Sequence, residues 1–275
     1  MVIDGKALAK EVIAEIKVEA ANLAPINFAA VIVGENPASV LYVDKKKKAC
    51  NDVGIDVQVV RLTADISQDK LNEMLAGLSA DKDVHAILLQ LPLPSELNPR
   101  EAISHISPLK DVDGLTAENL GLLAVGTPHF VPCTALGILH ILKSSNVPIE
   151  GADVCVIGRS NIVGKPTALL LMANGASVTL LHSKTRDLAK HTKNSDIVVV
   201  AVGKPGLLRA DMIRKGAVVI DVGITRLKGG EISGDVDFDA VSKKAAMITP
   251  VPGGVGPLTI AFLLSNIVQA RGKNV

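Results

Sequence analysis

Tyr42 and Lys46 stand four residues apart in ENPASVLYVDKKKKACNDVGI, a spacing that puts a phenol and an ammonium on one face of a helix. Ser39, three before Tyr42, shares that face. A lysine held among hydroxyls and amides can give and take protons, although such pairs also arise by chance on solvated helices. The four successive lysines from Lys45 to Lys48 cover the whole helix circumference, so Lys46 alone is aligned with the tyrosine, and Lys45, Lys47 and Lys48 are expected in solvent. Gln90 ends the apolar run HAILLQL, at the carboxyl end of a strand, where parallel sheets bind ligands. The loop SPLKDVDG offers Asp111 and Asp113 ahead of Gly114, and an Asx turn is the other account of each. PVPGGVGPLT, residues 250 to 259, has the small residues that let a backbone approach a ligand closely, or that serve as a hinge.

A second kind of chemistry is written in VCVIGRSNIVGKPTALLL: a buried strand, a tight turn at Gly158, and a helix opening with Gly164, Lys165 and Pro166. This order turns backbone N–H groups and a helix N-terminus toward a diphosphate. It departs from Gly-x-Gly-x-x-Gly, with Ser160 in place of the second glycine and one extra residue before Gly164. A Walker loop is excluded because five residues separate the glycines and Pro166 follows Lys165; a nucleophile elbow would need glycine where Ile162 stands. At the end of the next strand an NAD site usually offers a carboxylate to the ribose, and here LHSKTR stands instead. Ser183, Lys184, Arg186 and Arg159 suit a ribose phosphate, so NADP is preferred to NAD.

The elements that must position these groups follow from alternating patterns. Runs rich in Val and Ile at 28 to 34, 57 to 62, 85 to 91, 153 to 158, 177 to 182, 196 to 203 and 217 to 223 read as strands buried on both faces. Amphipathic segments between them, such as 67 to 80 and 164 to 174, make the class α/β, with strand-helix-strand alternation that implies parallel sheets. AVGTPHFVP breaks the periodicity, and long helices open and close the chain. The expected division is therefore 1–126 with 256–275 for one domain and 127–255 for the other.

Composition narrows the partners. With 29 Lys+Arg against 28 Asp+Glu there is no basic excess for nucleic acid, and no apolar run approaches the roughly 18 residues of a membrane span. Cys50, Cys133 and Cys155 are widely spaced and form no Cys-x-x-Cys pair, and the six histidines lack metal spacing, so no metal is expected and a cytoplasmic location fits.

Six blocks in order resemble one family: Ser39-x-x-Tyr42-x-x-x-Lys46, Gln90-Leu91-Pro92-Leu93-Pro94, Lys110-Asp111-Val112-Asp113-Gly114, Pro132-Cys133-Thr134, Gly158-Arg159-Ser160-x-x-Val163-Gly164 and Pro252-Gly253-Gly254-Val255-Gly256-Pro257. The family is the bifunctional methylenetetrahydrofolate dehydrogenase/methenyltetrahydrofolate cyclohydrolase of one-carbon metabolism. Tyr-x-x-x-Lys also marks short-chain dehydrogenases, but there it follows the cofactor motif, and here it precedes it. The resemblance implies two α/β domains flanking a cleft, the second a Rossmann-like doubly wound parallel sheet, with folate bound by the first domain and NADP by the second, and a homodimer. It implies Lys46 as the catalytic residue with Tyr42, Gln90 and Asp113 beside the substrate. Ser39, Leu89, Leu91, Pro252, Gly253, Gly254, Val255 and Gly256 would border the tetrahydrofolate, and Gly158, Arg159, Ser160, Ser183, Ile224 and Thr259 would contact the cofactor. A single-activity NADP dehydrogenase for another small substrate and a non-catalytic NADP sensor are the competing readings.

Overall fold

Short β-branched runs and the helices between them build two parallel sheets. In chain order the elements are α1 (Gly5–Ala21), β1 (Asn27–Val33), α2 (Pro37–Asp52), β2 (Asp56–Leu62), α3 (Gln68–Ala80), β3 (Ala86–Leu89), α4 (Pro99–Ser104), α5 (Ala117–Ala124), α6 (Cys133–Ser144), β4 (Asp153–Ile157), α7 (Gly164–Ala173), β5 (Ser177–Leu181), α8 (Leu188–Thr192), β6 (Ile197–Val200), β7 (Val218–Asp221), β8 (Thr225–Arg226), β9 (Ile232–Ser233), α9 (Phe238–Ser242), β10 (Met247–Ile248) and α10 (Val255–Lys273). The structure, a computed structural model, describes residues 1–23, 25–227 and 229–273, the side chain of Lys273 apart. Among these, no helix is long and apolar enough to cross a membrane.

The chain divides into two compact units. One holds Glu11–Cys133 and the residues from Ile260 on; the other holds Met1–Lys10 and Thr134–Thr259. Beside the expected division of 1–126 with 256–275 and 127–255, the first ten residues here group with the second sheet. The reason is long-range pairing: Ile3 N–H donates to Ile248 O at 2.9 Å and Ile248 N–H to Met1 O at 3.0 Å.

The three-strand unit has the order β2-β1-β3, all parallel, with Phe28 to Val31 in register with Ala86 to Leu89. Its core packs Val31, Leu71, Leu75 and Ile87, all fully buried. The five-strand unit has the order β10-β7-β6-β4-β5, also parallel, and β8 and β9 form a separate antiparallel pair. Strands β1, β3, β4, β6 and β7 are buried nearly throughout, but β2 and β5 alternate between half-buried and exposed residues. Both are edge strands, so the reading of every run as buried on both faces is corrected there: a strand with one neighbour leaves part of its surface to solvent, whereas β3, at the other edge of its sheet, has the segment of Asp111 bridged to Ile87 beside it.

Candidate active site

In the three-strand unit, α2 starts where the sequence places it. Asn36 Oδ1 accepts the N–H groups of Ala38 (3.0 Å) and Ser39 (3.2 Å), and Pro37 occupies the first turn. Ser39, Val43 and Cys50 share the buried face. Lys46 lies on the same stripe and is half-buried, while Lys45, Lys47 and Lys48 are exposed. Its ammonium donates to Gln90 Oε1 at 3.0 Å. Gln90 is held first by its backbone, whose N–H donates to Val31 O at 2.8 Å and so carries the sheet pairing one residue past β3. Its Nε2 donates to Leu91 O at 2.6 Å. The amide can face only this way, because a flip would set two donors against each other and two acceptors against each other. Tyr42 is half-buried one turn earlier, Leu89 is buried, Leu91 is half-buried, and the Leu91-Pro92 bond is cis. Ser39 Oγ is buried with no hydrogen-bond partner among the described residues.

The two aspartates of the 107 to 114 loop have different surroundings. Ile87 N–H donates to Lys110 O at 2.7 Å and lays this segment beside β3. The buried Asp111 carboxylate accepts Thr116 N–H (2.7 Å) and Asn119 Nδ2 (3.0 Å), which ties it to the start of α5; burial pushes its pKa up, against the pull of those donors. Asp113 is half-buried, and the buried Cys133 thiol donates to Val112 O at 3.4 Å. Burial, then the Asp113 charge, raises that thiol well above its ordinary pKa, while Lys46 pulls it down. Lys46 and Asp113 therefore act on one sulfur, which brings the two ends of the expected constellation into one neighbourhood. Asn266, on α10, completes it: Nδ2 donates to Val112 O at 2.8 Å and Val131 O at 3.1 Å. Sequence reasoning missed this residue, and the only signal was an amide inside the apolar run LLSNIV.

In the five-strand unit, strand order reverses at β4, which pairs with β6 on one side and β5 on the other. Gly158 follows β4 with φ +122°, and a Cβ there would lie 2.3 Å from Ala201 O; one on Gly164 would lie 1.9 Å from Gly158 O. Neither position admits a side chain, so the turn is closed against itself. Ser160, in the place of the fingerprint's second glycine, caps the helix: its Oγ accepts Val163 N–H (3.1 Å) and Gly164 N–H (3.3 Å). Arg159, Ser183, Lys184 and Arg186 are exposed, and the three cations make no ion pair among the described residues. Ile224 is exposed beyond β7, and Thr259 Oγ1 lies 3.3 Å from Thr134 Oγ1. Pro252 to Gly256 run from the end of β10 into α10, with Val251-Pro252 cis. Within this unit a Cβ on Gly5 would lie 1.8 Å from Gly254 O.

Two carboxylates in this unit were not singled out from sequence. Asp235 accepts the N–H groups of Val202, Gly203 and Lys204, and Asp221 accepts those of Gly223, Asp235 and Val236. Burial, with the Asp235 charge nearby, pushes Asp221 up to about 6 in spite of its three donors. No cluster of three or more His, Cys, Asp or Glu that could hold a metal occurs among the described residues.

A glycine turn at the point where strand order reverses is how α/β proteins take up dinucleotides, and a helical lysine tied to a strand-end amide adds proton chemistry. The class so defined is the two-unit α/β dehydrogenase. Comparison with known proteins narrows it. Residues 3–113 match the tetrahydrofolate dehydrogenase/cyclohydrolase catalytic domain, and residues 132–275 match the NAD(P)-binding domain of the same proteins. The bifunctional protein FolD of Polynucleobacter asymbioticus is 50% identical over 275 residues, covering 98% of this chain and 97% of its own. The crystal structure of FolD from Campylobacter jejuni superposes with a TM-score of 0.97 at 44% identity, covering 100% of this chain and 99% of that one. The Trypanosoma brucei FolD, solved with NADP cofactor and inhibitor, gives 0.95 at 40% identity over 99% and 97%. The chain belongs to the tetrahydrofolate dehydrogenase/cyclohydrolase family.

Proposed function

We propose that Lys46, hydrogen-bonded to Gln90, carries the hydrolytic half of a bifunctional methylenetetrahydrofolate dehydrogenase and methenyltetrahydrofolate cyclohydrolase of one-carbon metabolism. The 3.0 Å bond from Lys46 Nζ to Gln90 Oε1 is the observation that carries the assignment. It fixes a proton-transferring group at the carboxyl end of β3 and leaves its other N–H bonds for substrate and water. In hydrolysis, water adds to the cationic methenyl carbon and loses a proton, and the carbon–nitrogen bond then breaks as the departing ring nitrogen gains one. Lys46 as the free amine, which still donates to Gln90 Oε1, takes the first proton, and the ammonium so formed supplies the second. Tyr42 flanks it, the unpartnered Ser39 hydroxyl is available to a polar group of the ligand, and Asp113 accepts N–H groups of the pterin-like ring as an anchor. Leu89 and Leu91 border the folate.

The cradle at Gly158 and Gly164, where a Cβ would clash, fits a dinucleotide backbone. Gly158, Arg159, Ser160, Ser183, Ile224 and Thr259 would hold NADP, with Arg159, Ser183, Lys184 and Arg186 as partners for its ribose phosphate. When bound, NADP takes the hydride from the methylene carbon. That step yields a cation stabilised by two flanking nitrogens, so it asks mainly for placement. A homodimer through the five-strand unit belongs to the same reading, supported by exposed apolar Ile224, Leu227 and Ile232 in and around β8 and β9. So does a cytoplasmic location, supported by three buried free cysteines.

The test is an absorbance assay with methylenetetrahydrofolate and either NADP or NAD, following cofactor reduction and then decay of the methenyl product. NADP-dependent reduction with accelerated decay is expected. Reduction without accelerated decay would leave a dehydrogenase alone, and silence with both cofactors would overturn the reading.

A further inference from the structure

The loop after β6 lies against the glycine turn: the atom that a Cβ on Gly158 would strike is Ala201 O. Val202, Gly203, Lys204, Pro205 and Gly206 are all exposed, so side-chain packing does not hold the loop in place. What holds it is a single carboxylate beneath it. Asp235, wholly buried, accepts Val202 N–H (2.7 Å) and Gly203 N–H (3.0 Å) on Oδ2 and Lys204 N–H (2.6 Å) on Oδ1. Three successive backbone donors on one acid fix the peptide planes of the whole loop.

Asp235 is itself fixed. Its N–H donates to Asp221 Oδ1 at 3.0 Å, and its carbonyl accepts Leu208 N–H at 3.1 Å. Asp221 also takes Gly223 N–H (2.9 Å) and Val236 N–H (3.0 Å). The glycines beside the two acids interlock. A Cβ on Gly223 would lie 2.2 Å from Asp235 Cγ, and one on Gly234 would lie 2.0 Å from Asp221 Oδ2. The sequence pairs Asp221-Val222-Gly223 and Gly234-Asp235 thus leave room for the carboxylates and for nothing else.

We propose that Asp235 is a positioning residue for the cofactor: it holds residues 202 to 204 as the wall of the dinucleotide crevice on the β6 side, before any ligand arrives. The inference rests on the dinucleotide reading of the Gly158 turn. A wall fixed in advance spares the ligand the cost of ordering an exposed glycine-containing loop. An acid is required, because asparagine would offer N–H groups where backbone N–H groups already arrive.

The test uses the full-length protein and Asp235→Asn. In ligand-free wild-type protein, amide exchange followed residue by residue should show residues 202 to 204 protected although they are exposed, and fast exchange there would overturn the proposal whether or not the variant folds. In Asp235→Asn those amides should exchange about tenfold faster or more, with β4 and β7 unchanged. Binding is then titrated with NADP and with adenosine 2′,5′-bisphosphate, which lacks the nicotinamide half and on this reading is held at the end of β5. NADP should weaken by about tenfold while the bisphosphate keeps its affinity. Equal weakening of both would mean a general loss of structure and would overturn the positioning role, as would no weakening of either. Wild-type protein that binds neither compound would instead refute the dinucleotide reading itself.

Discussion

Replacing Lys46 by glutamine separates its two jobs, because the glutamine amide keeps a donor toward Gln90 Oε1 and loses the titratable proton. General acid–base catalysis by one side chain is worth roughly a hundred- to ten-thousandfold, so methenyl hydrolysis should fall by that factor, about 3–5 kcal/mol in the barrier. Hydride transfer needs placement only, and with the contact to Gln90 retained it should fall far less. Lys46→Met makes the contrast. Gln90 is 8% exposed and its Oε1 would lose its only donor among the described residues, leaving a buried acceptor unpaired at about 1–3 kcal/mol. The amide would then turn or shift, so methionine should depress both activities. Stability should change little in the glutamine variant, about 1 kcal/mol or less, because Lys46 is only half-buried, and should fall by about 1–3 kcal/mol in the methionine variant unless the amide turns to a new donor. The assay follows loss of methenyl absorbance and, separately, NADP reduction, with urea unfolding as the control. A glutamine variant that hydrolysed the methenyl substrate at nearly the wild-type rate would remove Lys46 from proton transfer.

Arg159→Ala should weaken NADP by about ten- to a hundredfold and NAD hardly at all; equal losses in a titration with both cofactors would sink the ribose-phosphate assignment. Asn266→Leu leaves the Val112 and Val131 carbonyls without their amide donor, so urea unfolding should register a loss of about 2–4 kcal/mol and the folate KM should rise, whereas an unchanged midpoint would deny the clamp. Asp221, pushed up to about 6, binds its proton more tightly in the folded protein than in the unfolded chain. Its contribution to stability is therefore fully present below about pH 4 and is lost as pH rises through about 6, a change of about 3 kcal/mol. The wild-type advantage over Asp221→Asn should shrink across that window, and a difference independent of pH would contradict it.

Which parts were legible in the sequence follows from how local their causes are. The caps of α2 could be read from Asn36, Pro37 and Gly54, because capping is decided within one turn. The central strands could be read from their apolar runs. β2 and β5 carry β-branched residues too, but their places at sheet edges depend on partners far along the chain. β8, β9 and β10 are two residues each, too short for any period. Within the site, the shared face of Ser39 and Lys46 is helical geometry, and Gln90 follows from the rule that ligands sit beyond strand ends; the bond that joins Lys46 to Gln90 spans 44 residues. Asn266 and Asp235 could not be read at all, since what gives them their roles is backbone from distant segments. The pairing of Met1 and Ile3 with Ile248 escaped notice for the same reason, and with it the unit to which the first ten residues belong.

The Asn266 clamp also sets an order of events during synthesis. The chain leaves the ribosome from its N-terminus, so β1, β2, β3 and the loop bearing Asp113 emerge early, and all five strands of the second sheet follow before α10 appears. The amide that fastens Val112 is made 154 residues after its acceptor. Until then the peptide next to Asp113 has no donor from α10, and the three-strand sheet waits, its 107 to 114 loop unfastened, while a second sheet is built. A nascent chain therefore carries Lys46 and Gln90 well before α10 can fasten the loop that bears Asp113.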